Sequence, residues 1–220
     1  MLLLARSLHS LAVTVTGAET ELDFAPEYSR VFGLGLTVSA AGSLELNERC
    51  AFRGGLALWK TAGAYEIDAA LGFGAKPFLA LPLLASVAWY YNALPSYEAV
   101  SHTALPLIGL RFRHGGVTLG TALRFSSYFN ESAIFESLIA FEGYVNFYNA
   151  EAFRIGLRCA NYDAFAAGNF GAYRLSLDSR IRAAKRLFLI NNLALLQTGS
   201  VTMGANWLGV VYTTGAALRW

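Results

Sequence analysis

Fourteen of the seventeen basic side chains in this chain of 220 residues are arginines. A guanidinium is planar and permanently charged, and its fork of N–H donors meets a carboxylate or phosphate at two points, where lysine is a looser point charge. Ten of these arginines fall in segments where polar and apolar residues alternate: Arg53, Arg111, Arg113, Arg124, Arg154, Arg158, Arg174, Arg180, Arg182 and Arg219. The acids Glu66, Asp68, Glu136, Glu142 and Asp178 occupy the same polar positions. Two kinds of chemistry suit such a set. One is recognition of anionic groups by the arginines; the other is cross-strand ion pairing that neutralises both signs.

Other reactive residues are sparse. Catalysis by a nucleophile needs a base within hydrogen-bond reach, and the chain has only His9, His102 and His114. His102 directly follows Ser101, and neighbouring strand residues point to opposite faces. His114 precedes Gly115 and Gly116 in an expected turn, and no G-x-S-x-G motif occurs. No enzyme activity is therefore expected. Cys50 and Cys159 lie far apart in separate apolar segments and read as small wall residues, not a disulfide. No Cys/His spacing indicates a metal site, and no cofactor is expected. Gly33-Leu34-Gly35 opens no helix, so it carries no nucleotide-binding meaning. A formal charge of +2 is too small to argue for nucleic acid.

The elements that hold these residues follow from composition and period. Hydrophobic residues make up 55% of the chain and charged residues 15%, against roughly 25% charged in soluble domains. Mean hydropathy is +0.41. Such a chain points to a membrane, yet a spanning helix wants about 20 predominantly apolar residues. The uncharged stretch from Pro77 to Tyr97 is broken by Pro82 and Pro95, and that from Leu187 to Leu218 is dotted with Asn, Gln and Thr. Alternation with period two supplies the other route. In 30–46, Phe32, Leu34, Leu36 and Val38 share one face, with Gly33, Gly35, Thr37 and Ser39 on the other. In 65–75, Tyr65, Ile67, Ala69, Leu71 and Phe73 alternate with Glu66, Asp68, Ala70, Gly72 and Gly74.

The same pattern predicts strands over 8–16, 30–46, 50–60, 65–75, 82–92, 103–113, 116–128, 133–148, 152–162, 169–183, 187–197 and 207–220, twelve in all. One set of connections is short (47–49, 114–115, 149–151, 184–186), with 75–81 longer. The other set includes the longer, more polar 17–29, 93–102, 163–168 and 198–206. The expected architecture is one all-β domain over 1–220, a transmembrane antiparallel up-and-down barrel with apolar residues outward and charges inward. Ten inward arginines against five inward acids would leave about five excess positive charges, if the register holds. Trp59, Tyr65, Trp89, Tyr91, Tyr128 and Phe135 are expected near one rim as an aromatic girdle, and Phe73, Phe147, Phe153, Phe188 and Trp220 near the other. A soluble lipocalin-like barrel is disfavoured, because there the apolar faces would point inward.

The final strand ends Tyr212-Thr-Thr-Gly-Ala-Ala-Leu-Arg-Trp220, with Tyr212, Thr214, Ala216, Leu218 and Trp220 on one face. This resembles the C-terminal signal of bacterial outer-membrane barrels, in which the last residue is usually Phe and less often Trp. Together with alternation along the whole chain, the resemblance is to small porin-like barrels of about twelve strands. That resemblance implies an outer-membrane location, contact with outer-membrane lipid, and recognition of Tyr212, Leu218 and Trp220 by the barrel-assembly machinery. It also implies termini on the periplasmic side and an export signal. The start Met1-Leu-Leu-Leu-Ala-Arg6 is a poor one, so a signal peptide is expected upstream of the given start; cleavage near Ala18 is the rival reading and would leave an odd number of strands.

Two functions fit these expectations. The first is a small passive channel favouring anionic solutes along an arginine-lined lumen. The second is a structural or surface-interaction barrel closed by salt bridges. The acidic segment holding Glu19, Glu21, Asp23 and Glu27 reads as a solvated loop at the outer mouth, with divalent-cation or lipopolysaccharide contact as the alternative.

Overall fold

Alternating apolar and polar residues can satisfy every backbone group and still show lipid one face only if the sheet closes on itself. The computed structural model, which describes residues 15–30, 33–46, 49–77, 81–128, 134–162, 173–197 and 207–220, has that form. Its strands are β1 (Val15–Ser29), β2 (Gly33–Leu46), β3 (Cys50–Thr61), β4 (Tyr65–Ala75), β5 (Leu83–Leu94), β6 (Ala99–Phe112), β7 (Gly115–Tyr128), β8 (Ile134–Asn149), β9 (Phe153–Ala160), β10 (Tyr173–Arg182), β11 (Leu187–Gln197) and β12 (Trp207–Arg219). Each pairs antiparallel with its sequence neighbours, and β1 pairs with β12 to close the barrel. No described helix is long and apolar enough to cross a membrane. The strands are the spanning elements.

The fold is thus the expected twelve-stranded transmembrane barrel, but its first strand is not the expected one. Residues 15–29 form β1, paired with β2 along its length and with β12 at the seam. The segment expected as an acidic loop is therefore part of the wall, and most of the strand expected at 8–16 lies outside the described residues. Its own alternation explains this. Leu22, Phe24, Pro26 and Tyr28 take the outer face, and Glu19, Glu21, Asp23, Ala25 and Glu27 the inner one. β6 also begins four residues earlier than the alternation suggests, so the connection from β5 shrinks to 95–98, a single 3-10 turn.

Register sorts the side chains. Outward positions include Leu34 at 78% exposure and Ile139 at 77%, whereas inward Asp68, Thr103, Leu105 and Ala217 have none. That is the reverse of a soluble barrel. Lipid must cover the outer face, since leaving Leu or Ile in water forgoes roughly 1.5–3 kcal/mol per side chain. The seam depends on close backbone approach. A Cβ on Gly215 would lie 2.6 Å from the Leu22 carbonyl oxygen and closer still to the Asp23 carboxylate, so only glycine fits there.

Both described chain ends lie at one end of the barrel, because β1 runs away from it and β12 returns. Trp220 N–H donates to the Ala18 carbonyl at 2.8 Å there. The same end carries the tight connections, including Arg113-His114 and 183–186. The opposite end carries the two longest links, 161–172 and 198–206.

Candidate functional site: the barrel lumen

Twelve strands about 4.8 Å apart and tilted about 40° enclose a backbone wall of roughly 12 Å radius. Inward side chains must fill or line that space, and register shows which they are.

Four strands form an acidic sector. From β1 come Glu19, Glu21, Asp23 and Glu27; β2 adds Glu45, and β4 adds Glu66 and Asp68. Arg53 on β3 is the one inward arginine among them. Asp68 is fully buried and accepts a hydrogen bond from Asn92 Nδ2 at 2.7 Å, while Ser101 Oγ donates to Asn92 Oδ1 at 3.5 Å. Glu27 accepts from the Trp59 indole N–H. Asn92 and Trp59 carry no charge, so a set of ionisable residues does not include them. Parity alone reveals both, because Trp59 lies six residues from Arg53 on one strand.

β5 presents no inward charge. Its Tyr90 packs against Leu105, Ala122 and Ala140 of β6, β7 and β8, with Leu107, Leu138 and Tyr162 around them, making an apolar sector at mid-height. β6–β8 also carry inward Arg111, Arg124, Glu136 and Glu142. The charges of this sector pair across neighbouring strands. Arg124 faces Glu136 at 4.0 Å, and Arg158 of β9 bonds Glu142 at 2.6 Å, where Tyr162 OH also donates at 3.1 Å.

The basic sector is β9–β12, with inward Arg154, Arg158, Arg174, Arg180, Arg182 and Arg219 and a single inward acid, Asp178. Asp178 is held by Asn192 and Ser176. Arg158 keeps 45% of its side-chain surface accessible despite facing inward, so it borders open space. At the end bearing the chain termini, a cavity of about 220 Å³ is lined by Asn149, Glu151, Arg154, Arg180, Phe188 and Arg219. The Phe188 ring lies 4.2 Å beneath the Arg180 guanidinium, 5.4 Å from Arg219 and 5.7 Å from Arg182.

One contact crosses between the two charged sectors at this end. Arg180 donates from Nη1 and Nη2 to Glu19 Oε1 and Oε2 at 2.8 and 2.6 Å, and Arg219 Nε donates to Oε2 at 3.3 Å. Arg182 pairs with Glu151 in the β8–β9 connection.

Among the described residues the positive excess expected of the interior is absent, because β1 and β2 bring five further acids inward. Arg113 lies in the turn after β6 and not on the wall. Two girdle assignments also change. Trp59 and Phe188 face inward, 8% and 4% exposed, as register on β3 and β11 requires. Tyr65, Trp89, Phe135, Phe73, Phe147, Phe153 and Trp220 are exposed on the outer face or rim, and Trp89 stacks on outward His102 at 5.7 Å. The Tyr128 side chain lies outside what is described. Cys50 and Cys159 are free thiols on outward positions. Among the described residues no group of His, Cys, Asp or Glu is arranged to hold a metal.

An apolar exterior, a closed antiparallel wall of twelve strands and a charged interior define the chain as an outer-membrane-type β-barrel in fold. Solved structures of that type superpose on it. The NanC porin matches with TM-score 0.59 at 10% identity, covering 90% of this chain and 98% of that one. The KdgM porin in complex with disordered oligogalacturonate gives 0.55 at 8%, with coverage of 90% and 98%. The translocator domain of the autotransporter NalP from Neisseria meningitidis gives 0.52 at 12%, with 93% and 87%. At such identities the likeness is one of fold. No protein-family model and no curated protein sequence matches the chain.

Proposed function

We propose that this chain is a passive channel of the bacterial outer membrane, through which small polar solutes pass with their anionic groups carried along the arginine wall. The observation that carries the reading is Arg158, inward by register yet 45% accessible at mid-wall. With Arg174 above and Arg154 and Arg180 below, it makes a ladder of guanidiniums from one end of the basic sector to the other. Such a ladder offsets the dehydration of a carboxylate or phosphate step by step. The fold shared with the NanC and KdgM porins supports a channel, and the apolar exterior supports a lipid environment. On this reading the chain ends face the periplasm, the outer face contacts outer-membrane lipid, and Tyr212, Leu218 and Trp220 are read by the barrel-assembly machinery. Nucleic acid has no place in it.

A second reading is favoured by the Arg180–Glu19 contact, which spans three strands round the wall. In it the lumen is closed by ion pairs and the barrel serves as a surface scaffold. Planar-bilayer recording of the refolded protein separates the two. Discrete conductance steps are expected from the channel; a folded, heat-modifiable barrel that never conducts would leave the scaffold.

A further inference from the structure

We infer that the cavity at the end bearing the chain termini is a binding site for a phosphate group, either the free ion or the monoester of a small solute. This goes beyond passage along the wall, because the site holds its ligand whether or not the lumen conducts. Its centre is Arg154 on β9. In register Arg154 stands directly opposite Arg180 on one side and Asn149 on the other, so the three form one row across β10, β9 and β8. Like charges directly opposite each other destabilise a sheet, and the two arginines are treated differently. Arg180 is neutralised by Glu19, to which both of its Nη groups donate. Arg154 borders the cavity, yet it donates to no acceptor and pairs with no carboxylate among the described residues.

The acids nearby are already engaged. Asp178, which offsets part of the Arg154 charge, stands two residues along β10 from Arg180 and accepts from Asn192 and Ser176. Glu151 is paired with Arg182, and Glu19 with Arg180 and Arg219. Arg111 adds a further positive charge near Arg154, its Nε donating to the Tyr144 hydroxyl at 3.2 Å. The fork of Arg154 is thus left for a ligand. Arg219 supplies a second one in part. Only its Nε reaches Glu19, at 3.3 Å, and 57% of its side-chain surface stays accessible. Phe188 lines the same cavity and steadies Arg180 and Arg219 against its ring.

The wall is also altered locally to shape this cavity. β8 carries a bulge between Asn146 and Tyr148. Ahead of it, even-numbered residues such as Glu142 face inward. Beyond it the parity reverses, so Phe147 and Tyr148 both lie outside, 61% and 54% exposed, and Asn149 turns in to line the cavity. Bulges beside functional sites re-aim side chains in this way.

Size and charge select the ligand. At about 220 Å³ the cavity is smaller than the ~300–1,000 Å³ of pockets for drug-sized molecules, so a compact group fits it. One guanidinium fork satisfies both oxygens of a monocarboxylate. A phosphate has oxygens enough to meet Arg154 and Arg219 together, and a charge of about −2 to match them.

The test uses the full chain folded in detergent micelles and titrated calorimetrically, at constant ionic strength, with inorganic phosphate, glycerol phosphate, acetate and succinate. Saturable binding of a phosphate compound is expected, severalfold tighter than that of either carboxylate. Tighter binding of glycerol phosphate would mark an ester as the occupant, and tighter binding of inorganic phosphate the free ion. Arg154→Gln should weaken phosphate binding roughly tenfold, by removing a charge-assisted two-point contact. Arg154→Lys keeps the charge but not the fork and should weaken it severalfold. Arg53→Gln, on β3 and away from the cavity, should leave it unchanged. Heat-modifiable migration checks folding, and Arg154→Lys decides if Arg154→Gln does not fold. No saturable phosphate binding, equally tight binding of succinate, or an equal loss in Arg53→Gln and the Arg154 variants would each overturn the inference. Conductance is read separately: a silent barrel that binds phosphate keeps the site and loses the channel, and a conducting barrel that binds none keeps the channel and loses the site.

Discussion

Arg180 on β10 and Glu19 on β1 meet in a two-point ion pair, 2.8 and 2.6 Å long, across the inner faces of β11 and β12. Neighbouring strands in a barrel are coupled by their ladders, but strands three apart are coupled only through the interior. This contact therefore ties the basic sector to the acidic one where the chain ends converge. Phe188 supports it from β11, its ring face lying under the guanidinium, an arrangement that holds the fork while leaving its edge for the carboxylate.

Removing one member of that pair leaves the other charge partly enclosed, with side-chain exposures of 16% for Arg180 and 19% for Glu19. Glu19→Gln or Arg180→Gln should each cost about 1–3 kcal/mol of barrel stability. Urea unfolding in lipid vesicles measures this. The double exchange Glu19→Arg with Arg180→Glu should recover part of the loss. Single-channel conductance of Glu19→Gln should also rise, since the strut no longer crosses that mouth. Unchanged stability in both single variants would show that the pair is not a tie.

Asn92 is the donor that makes a fully buried carboxylate tolerable at Asp68. Asn92→Ala should destabilise the barrel by about 1–3 kcal/mol, because a buried acceptor loses a 2.7 Å partner without gaining water. Asp68→Asn in the same background should relieve much of that cost by removing the buried carboxyl group. A double-mutant cycle of unfolding free energies reads the coupling directly.

The barrel was legible because lipid and water impose opposite demands on alternate residues, and most strands obey them openly: Tyr65 to Ala75 needs no structure to be read. β1 was misread for a physical reason. Four acids among Glu19 to Glu27 look like a solvated loop when charge is taken as a sign of bulk water, whereas inside a barrel an inward charge on every second residue is ordinary wall. The alternating Leu22, Phe24 and Tyr28 were the available signal. That one strand decided the electrostatics, giving the interior an acidic sector next to its basic one where a cationic lining was expected. The Asp68–Asn92–Ser101 chain and the Arg180–Glu19 tie were not legible, because they depend on cross-strand register and on distance across the lumen, neither of which alternation encodes.

The outer face gives a graded test of the lipid environment. Ile139 lies within β8 and is 77% exposed; Leu34 is equally exposed at 78% but sits one residue from the end of β2. In water, lysine at either site would be nearly neutral. In a bilayer, lysine costs ~2–4 kcal/mol near the midplane and ~0–1 near the interface. Ile139→Lys should therefore lower the unfolding free energy in vesicles much more than Leu34→Lys. Equal and negligible effects would mean that lipid does not cover this face.

Trp220 ends the outward face of the closing strand, 62% exposed, with its backbone N–H on the Ala18 carbonyl at 2.8 Å. The backbone bond belongs to the seam and survives a change of side chain, so Trp220→Ala should barely alter the stability of a barrel already folded in vesicles. If the aromatic end is what the assembly machinery reads, insertion in cells should nevertheless fall sharply, and Trp220→Phe should restore it. Comparing the amount of heat-modifiable protein in outer-membrane fractions with the unfolding midpoint of the refolded variant separates the two roles. A fall in both together would make Trp220 a structural rim residue; a fall in the first alone assigns it to recognition.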